Sequence, residues 1–323
     1  MTLTAWPLKA WVVTDGKPGM QNQCLGLAEA LGAETVIKQV HLRAPWKQLS
    51  PSILRIGNRW AMTPDSDPIT PPWPDVMIAT GRHSVASSLL VRACSPSTYR
   101  VQIQSPGISP DYFGLVVVPR HDRLRGPNVM TCKGALHRVT PERLAADADK
   151  WRDQLAYLPH PRIAVIVGGT NGVYRMTPAI AADLGDKLAA LSKRYGAGLM
   201  VTASRRTGEE AEAALRSRLE GLPVEFWDGQ GDNPYFAYLG LADTIVVTCD
   251  SVSMTSEAAS TGKPVYVVML DGGSPKFDSF HRALVEDGIT RPFTGEMEDW
   301  SYNPLDDTAL AAKRVMEELG RRT

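Results

Sequence analysis

Residues 162–172 read RIAVIVGGTNG. The apolar run 163–167 shows no polar alternation and stops at a glycine pair, so it reads as a strand buried on both faces, central in a parallel sheet covered by helices. Glycines directly after such a strand let backbone amides approach a phosphate, and the next helix presents its positive N-terminus. A plain strand-to-helix turn has the same spacing, and the GxGxxG dinucleotide fingerprint is absent.

Outward from this strand, short β-branched apolar runs alternate with helical patterns, the signature of βα units wound into parallel sheets. Towards the C-terminus, helices are expected over 178–195 and 208–219 and up to Gly262, with strands at 198–203, 224–227, 244–248 and, last, 265–270. Towards the N-terminus, strands are expected at 10–14, 35–40, 76–80, 99–104 and 114–119, with helices over 20–31 and 84–92. A polar helix over 141–157 runs into Pro159-His160-Pro161, which reads as a linker. The expected fold is therefore α/β, with two Rossmann-like domains facing across a cleft: 1–158, and 159–304, with a C-terminal helix at 305–323 crossing back to complete the first. Five prolines within 62–74 exclude helix and central strand there and mark a surface loop.

Lys plus Arg equals Asp plus Glu, 35 against 35, so no net field attracts a polyanion, and nucleic acid is not an expected partner. Cys24, Cys94, Cys132 and Cys249 stand apart without CxxC spacing, which suits a reducing compartment, the cytoplasm. No stretch approaches the ~18 apolar residues of a membrane span. Any membrane contact is thus expected to be peripheral, at the inner face. HExxH, CxxC and EF-hand patterns are missing, and Asp65-Ser66-Asp67 has DxD order but lies in the proline-rich loop. Neither a metal nor a cofactor is expected.

Chemistry-bearing residues gather at strand ends. In the second half, Gly168, Gly169 and Thr170 follow the first strand, and Ser204, Arg205 and Arg206 follow the next, where adjacent arginines suit phosphate or base contact and equally a solvated loop. The segment 250–264, DSVSMTSEAASTGKP, follows a strand and opens a helix. Ser253 and Ser256 crowd its first turns, and Glu257 lies one turn from Ser253, where a carboxylate can accept ribose hydroxyls beside phosphates held at the helix start. A well-capped helix has the same pattern. Lys276, in a glycine-rich stretch read as a fourth loop, is placed to neutralise a leaving diphosphate. In the first half, Asp15 follows the opening strand as a candidate general base or a turn former, and His83 is the histidine best placed for proton transfer.

Five segments, TDGKPGMQNQ at 14–23, HDRLRGPNV at 121–129, SRRT at 204–207, DGQGDNPY at 228–235 and DSVSMTSEAASTGKPV at 250–265, together resemble the mitochondrial fission Elm family. That resemblance covers nearly the whole chain and implies, as the alternative to an enzyme, a non-catalytic adaptor that recruits partners at a membrane surface. More distantly, the second half resembles the donor domain of GT-B glycosyltransferases, such as the peptidoglycan N-acetylglucosaminyltransferase and the Kdo transferases. By that resemblance Gly168, Gly169, Ser256 and Glu257 hold a nucleotide sugar, with Glu257 on the ribose. The leading expectation is a metal-independent glycosyltransferase that binds a nucleotide-diphosphate sugar as substrate, with a cell-envelope glycan or lipid as the class of acceptor. A sugar-nucleotide epimerase would need a nicotinamide and a YxxxK pair, and neither Tyr195 nor Tyr238 has a lysine four residues on, so that reading ranks last.

Overall fold

The computed structural model describes residues 7–49 and 58–321. Its first unit contains β1 (Lys9–Thr14), α1 (Pro18–Ala30), β2 (Glu34–Gln39), α2 (Asn58–Ala61), β3 (Val76–Thr80), α3 (Ser84–Cys94), β4 (Tyr99–Ile103), β5 (Leu115–Pro119) and β6 (Val129–Cys132). The strands form a six-stranded parallel sheet in the order β2-β1-β3-β4-β5-β6. The second unit begins with α4 (Pro141–Trp151), β7 (Arg162–Val167), β8 (Tyr174–Arg175), α5 (Pro178–Tyr195), β9 (Gly198–Ala203), α6 (Glu209–Leu219) and β10 (Val224–Phe226). It continues through α7 (Tyr235–Leu241), β11 (Thr244–Thr248), α8 (Val252–Ala259), β12 (Val265–Val268), β13 (Asp271–Gly272), α9 (Pro275–Glu286) and β14 (Thr290–Pro292). A second six-stranded parallel sheet runs β10-β9-β7-β11-β12-β14, and β8 pairs antiparallel with β13. Helix α10 (Asp307–Gly320) returns to the first unit. Both units are thus Rossmann-like.

Local chemistry accounts for most of these elements. Strand β7 lies between β9 and β11 with every residue buried, which is why its sequence is apolar without alternation. Helix α5 starts at Thr177, whose hydroxyl accepts the Ile180 amide at 3.2 Å, and continues through Pro178. It ends at Gly196, φ +64°, after Lys193 and Arg194 have complemented its C-terminal dipole. Its Ala181, Leu184, Leu188 and Leu191 recur at helical spacing and pack into the second unit's core with Leu199 and Leu215.

The unit boundary falls at Val139, not after Leu158. Helix α4 joins the second unit because Ala148 packs into that core, and α7 approaches so closely that a Cβ on Gly240 would stand 2.7 Å from the Leu144 carbonyl oxygen. The chain returns to the first unit at Asp306. There α10 packs Ala311, Ala312 and Val315 beside Leu27 and Leu31, and the Asp307 carboxylate accepts the Gly134 amide at 2.8 Å. Further elements depart from expectation. The stretch 271–281, expected as a loop, is largely α9, because Pro275 at a first helical position favours a helix start. Strands β6 and β14 extend the two sheets, so β12 is not the last strand.

Candidate functional site

Strand β11 is buried along its length and delivers Asp250 to the C-terminal end of the second sheet, where none of its side chain is exposed. Three neighbours compensate the buried carboxylate. The Thr248 hydroxyl donates at 2.6 Å, the Gly169 amide at 3.0 Å and the Arg206 guanidinium at 2.8 Å. These contacts explain the glycine pair. A Cβ on Gly168 would lie 2.1 Å from Asp250 Oδ1, and one on Gly169 would lie 2.0 Å from the Arg206 carbonyl oxygen.

Here the expectation of amides free for a phosphate is corrected. Gly168 donates to Thr248 Oγ1 at 2.7 Å, Thr170 to the Arg206 carbonyl at 2.9 Å and Asn171 to the Tyr174 carbonyl at 2.9 Å, while Gly169 is held by Asp250. The glycines permit close approach of loops whose amides then tie those loops together. Three expected hydroxyl ligands are likewise turned inward. Thr170 Oγ1 accepts the Met176 amide at 3.1 Å, Ser204 Oγ accepts the Arg206 amide at 3.2 Å, and the buried Ser256 hydroxyl donates to the Val252 carbonyl at 2.7 Å.

The remaining candidates differ in burial and partners. Ser251 caps α8 by accepting the Met254 amide at 3.3 Å, and the Ser253 hydroxyl has no hydrogen bond among the described residues. Glu257 is buried and accepts the Tyr235 hydroxyl at 2.5 Å. Arg205 and Lys276 are exposed and without an ion pair among the described residues. The β8–β13 pairing sets Arg175 opposite Asp271 and Tyr174 opposite Gly272, which draws the loop before α9 against the glycine loop. Four loops, those after β7, β9, β11 and β12, therefore share one end of the sheet. Their centre lies between β7 and β11, where successive strands depart in opposite directions, the switch point at which open α/β sheets bind ligands. Asp250 and Tyr235, which hold Gly169 and Glu257 in place, lie outside the candidates read from the sequence. A carboxylate directly after a buried run was a readable signal for Asp250; nothing local marks Tyr235.

The first sheet has its own switch point, between β1 and β3, and it holds Asp15 and His83. Burial alone would raise the Asp15 carboxyl, but hydrogen bonds and charge from Lys17, 2.7 Å away, outweigh it and hold the group below the usual carboxylate range. A carboxylate so stabilised is a weak base. Burial lowers the His83 imidazole, against the opposing charge of Asp15, so the ring is neutral near pH 7. Its Nδ1 has no hydrogen-bond partner among the described residues, and the ring stands edge-on to His41 at 6.2 Å. Asp65-Ser66-Asp67 is structural: Asp67 accepts the Gln39 amide at 2.6 Å and Ser66 the His41 amide at 2.9 Å, pinning the edge strand. No helix among the described residues is long and apolar enough to cross a membrane.

The mitochondrial fission ELM1 family model matches residues 18–319, and the Arabidopsis thaliana mitochondrial fission protein ELM1 is 31% identical over 97% of this chain and 92% of its own. The chain belongs to the mitochondrial fission ELM1 family. This ELM1 family member is also similar in fold to the UDP-GlcNAc 2-epimerase of Methanocaldococcus jannaschii, with a TM-score of 0.55 and 12% identity over 97% of this chain and 100% of the other. The Neisseria meningitidis UDP-GlcNAc 2-epimerase bound to UDP-GlcNAc matches with a TM-score of 0.50 and 14% identity, again over 97% and 100%. At such identities the likeness concerns the fold, which is of the GT-B type.

Proposed function

We propose that this ELM1 family member is a glycosyltransferase that binds a nucleotide-diphosphate sugar in its second unit and transfers the sugar to an acceptor hydroxyl without a metal ion. The observation that carries the reading is the meeting of four loops at the β7/β11 switch point, with the Gly169–Asp250 hydrogen bond at its centre. The unpaired cations Arg205 and Lys276 suit the diphosphate, and Glu257 suits the ribose. In the reaction the bond between anomeric carbon and diphosphate oxygen breaks while an acceptor oxygen bonds to that carbon. Arg205 and Lys276 then stabilise the departing nucleoside diphosphate. Within the first unit, His83, neutral and with an Nδ1 that has no hydrogen-bond partner among the described residues, is a better proton acceptor than Asp15.

A second reading, epimerisation of the nucleotide sugar itself, takes its support from the similar UDP-GlcNAc 2-epimerases. Calorimetry of UDP, GDP, CMP and their sugars against wild type and Glu257→Ala tests the shared site, and binding of none of them removes both readings. Product analysis separates them: an epimerised nucleotide sugar formed without acceptor supports the second, and nucleoside diphosphate released only with acceptor supports the first.

A further inference from the structure

A carboxylate on a helix selects a ribose hydroxyl only when its oxygens are held in one orientation, and here the group that holds it comes from a different segment. The Tyr235 hydroxyl donates to Glu257 Oε2 at 2.5 Å, a short bond to a buried carboxylate. Tyr235 is itself fixed from several directions. Asn233 Oδ1 accepts its backbone N–H at 3.0 Å. The Phe236 ring meets it edge-on at 5.4 Å and 83°, and the Arg143 guanidinium lies 4.3 Å from the Phe236 ring centre. Burial, and then the negative Glu257, push the phenol well above its ordinary value, so it remains the donor through neutral and alkaline pH. A carboxylate offers about four lone-pair directions, and the phenol occupies one of them on Oε2.

We infer that Tyr235 is a positioning residue whose phenol orients Glu257 and thereby sets the discrimination between ribose and 2′-deoxyribose nucleoside diphosphates. The inference rests on the nucleotide-site reading above. A tyrosine that merely filled space would change stability when replaced and leave that discrimination as it was.

The test is calorimetry on the full chain with UDP, GDP and ADP and their 2′-deoxy counterparts, for wild type, Tyr235→Phe, Glu257→Gln and Asn233→Ala. Wild type is expected to favour the ribose form about ten-fold, the size of one hydrogen bond to a charged group. Tyr235→Phe and Glu257→Gln bring the ratio close to one while the 2′-deoxy affinity stays at the wild-type level, and Asn233→Ala gives an intermediate ratio. A full wild-type ratio in Tyr235→Phe, with the ratio lost in Glu257→Gln, overturns the inference and leaves the nucleotide site standing. Binding of none of the six probes to wild type overturns both. Should Tyr235→Phe fail to fold, a wild-type ratio in Asn233→Ala, a change at an exposed residue, overturns the inference in its place.

Discussion

Arg206 and Asp250 form an ion pair of 2.8 Å in which the carboxylate has no exposed side-chain surface and the guanidinium keeps 40% of its own. Its sequence neighbour Arg205 is exposed and has no ion pair among the described residues. Two adjacent arginines thus have different work. Arg206→Ala strands a buried charge and is expected to lower unfolding free energy by about 1–3 kcal/mol. Arg205→Ala should leave stability within about 0.5 kcal/mol of wild type and weaken nucleoside diphosphate binding. Urea denaturation and calorimetry on both variants check the contrast, and equal destabilisation by the two would contradict it.

Gly168→Ala and Gly169→Ala push a methyl to 2.1 Å from Asp250 Oδ1 and 2.0 Å from the Arg206 carbonyl oxygen. Each is expected to destabilise the second unit by about 3 kcal/mol through forced separation of the loops. Gly172→Ala is the control, since a Cβ there meets nothing within 4 Å. Thermal melting of the three variants reads the difference.

His281 is buried, its Nε2 2.8 Å from the Cys249 carbonyl and its Nδ1 without a partner among the described residues. Burial holds its pKa below the ordinary 6.5, against the pull of that carbonyl and of Asp278 and Asp250. As pH falls through 6.5 the unfolded chain takes up a proton that the native imidazole resists, so stability is lost towards acid until the native group titrates too. In His281→Gln that part of the loss is absent. Chemical denaturation of both proteins across this pH window should show the smaller acid loss in the variant.

Lys263 Nζ donates to the carbonyls of Leu239 at 2.8 Å and Gly240 at 2.6 Å in the last turn of α7, and burial brings its pKa down to about 8. Lys263→Met leaves these carbonyls without a donor and is expected to destabilise by about 1–3 kcal/mol at neutral pH. Between about 8 and the ordinary 10.5 the native lysine releases its proton before the unfolded chain does, so wild-type stability gains with rising pH and the gap to the variant widens. Parallel denaturation curves at pH values spanning that window test the sign.

Much of the fold was legible because local chemistry decides it. Helix α5 begins at a threonine followed by proline and ends at a left-handed glycine, and its bounds could be read residue by residue. Helix α9 was missed because its first turn follows Gly272, Gly273 and Ser274, which read as loop chemistry while also permitting a helix start at Pro275. In α8, Glu257 was legible as a carboxylate one turn into a capped helix. Its partner Tyr235 was not, because 22 residues separate them and no periodicity links α7 to α8.

By itself the sequence determined the alternation of strands and helices, the restart of that pattern in the second half and the crowding of chemistry at strand ends, since propensity, capping and glycine conformation act over a few residues. Only the tertiary structure decided that α4 belongs with the second unit, that the glycine-loop amides are bound to neighbouring loops, and that Asp250 ties Gly169 to Arg206. The physical reason is that these outcomes depend on which loops the order β9-β7-β11 sets side by side, and strand order is a property of the assembled sheet.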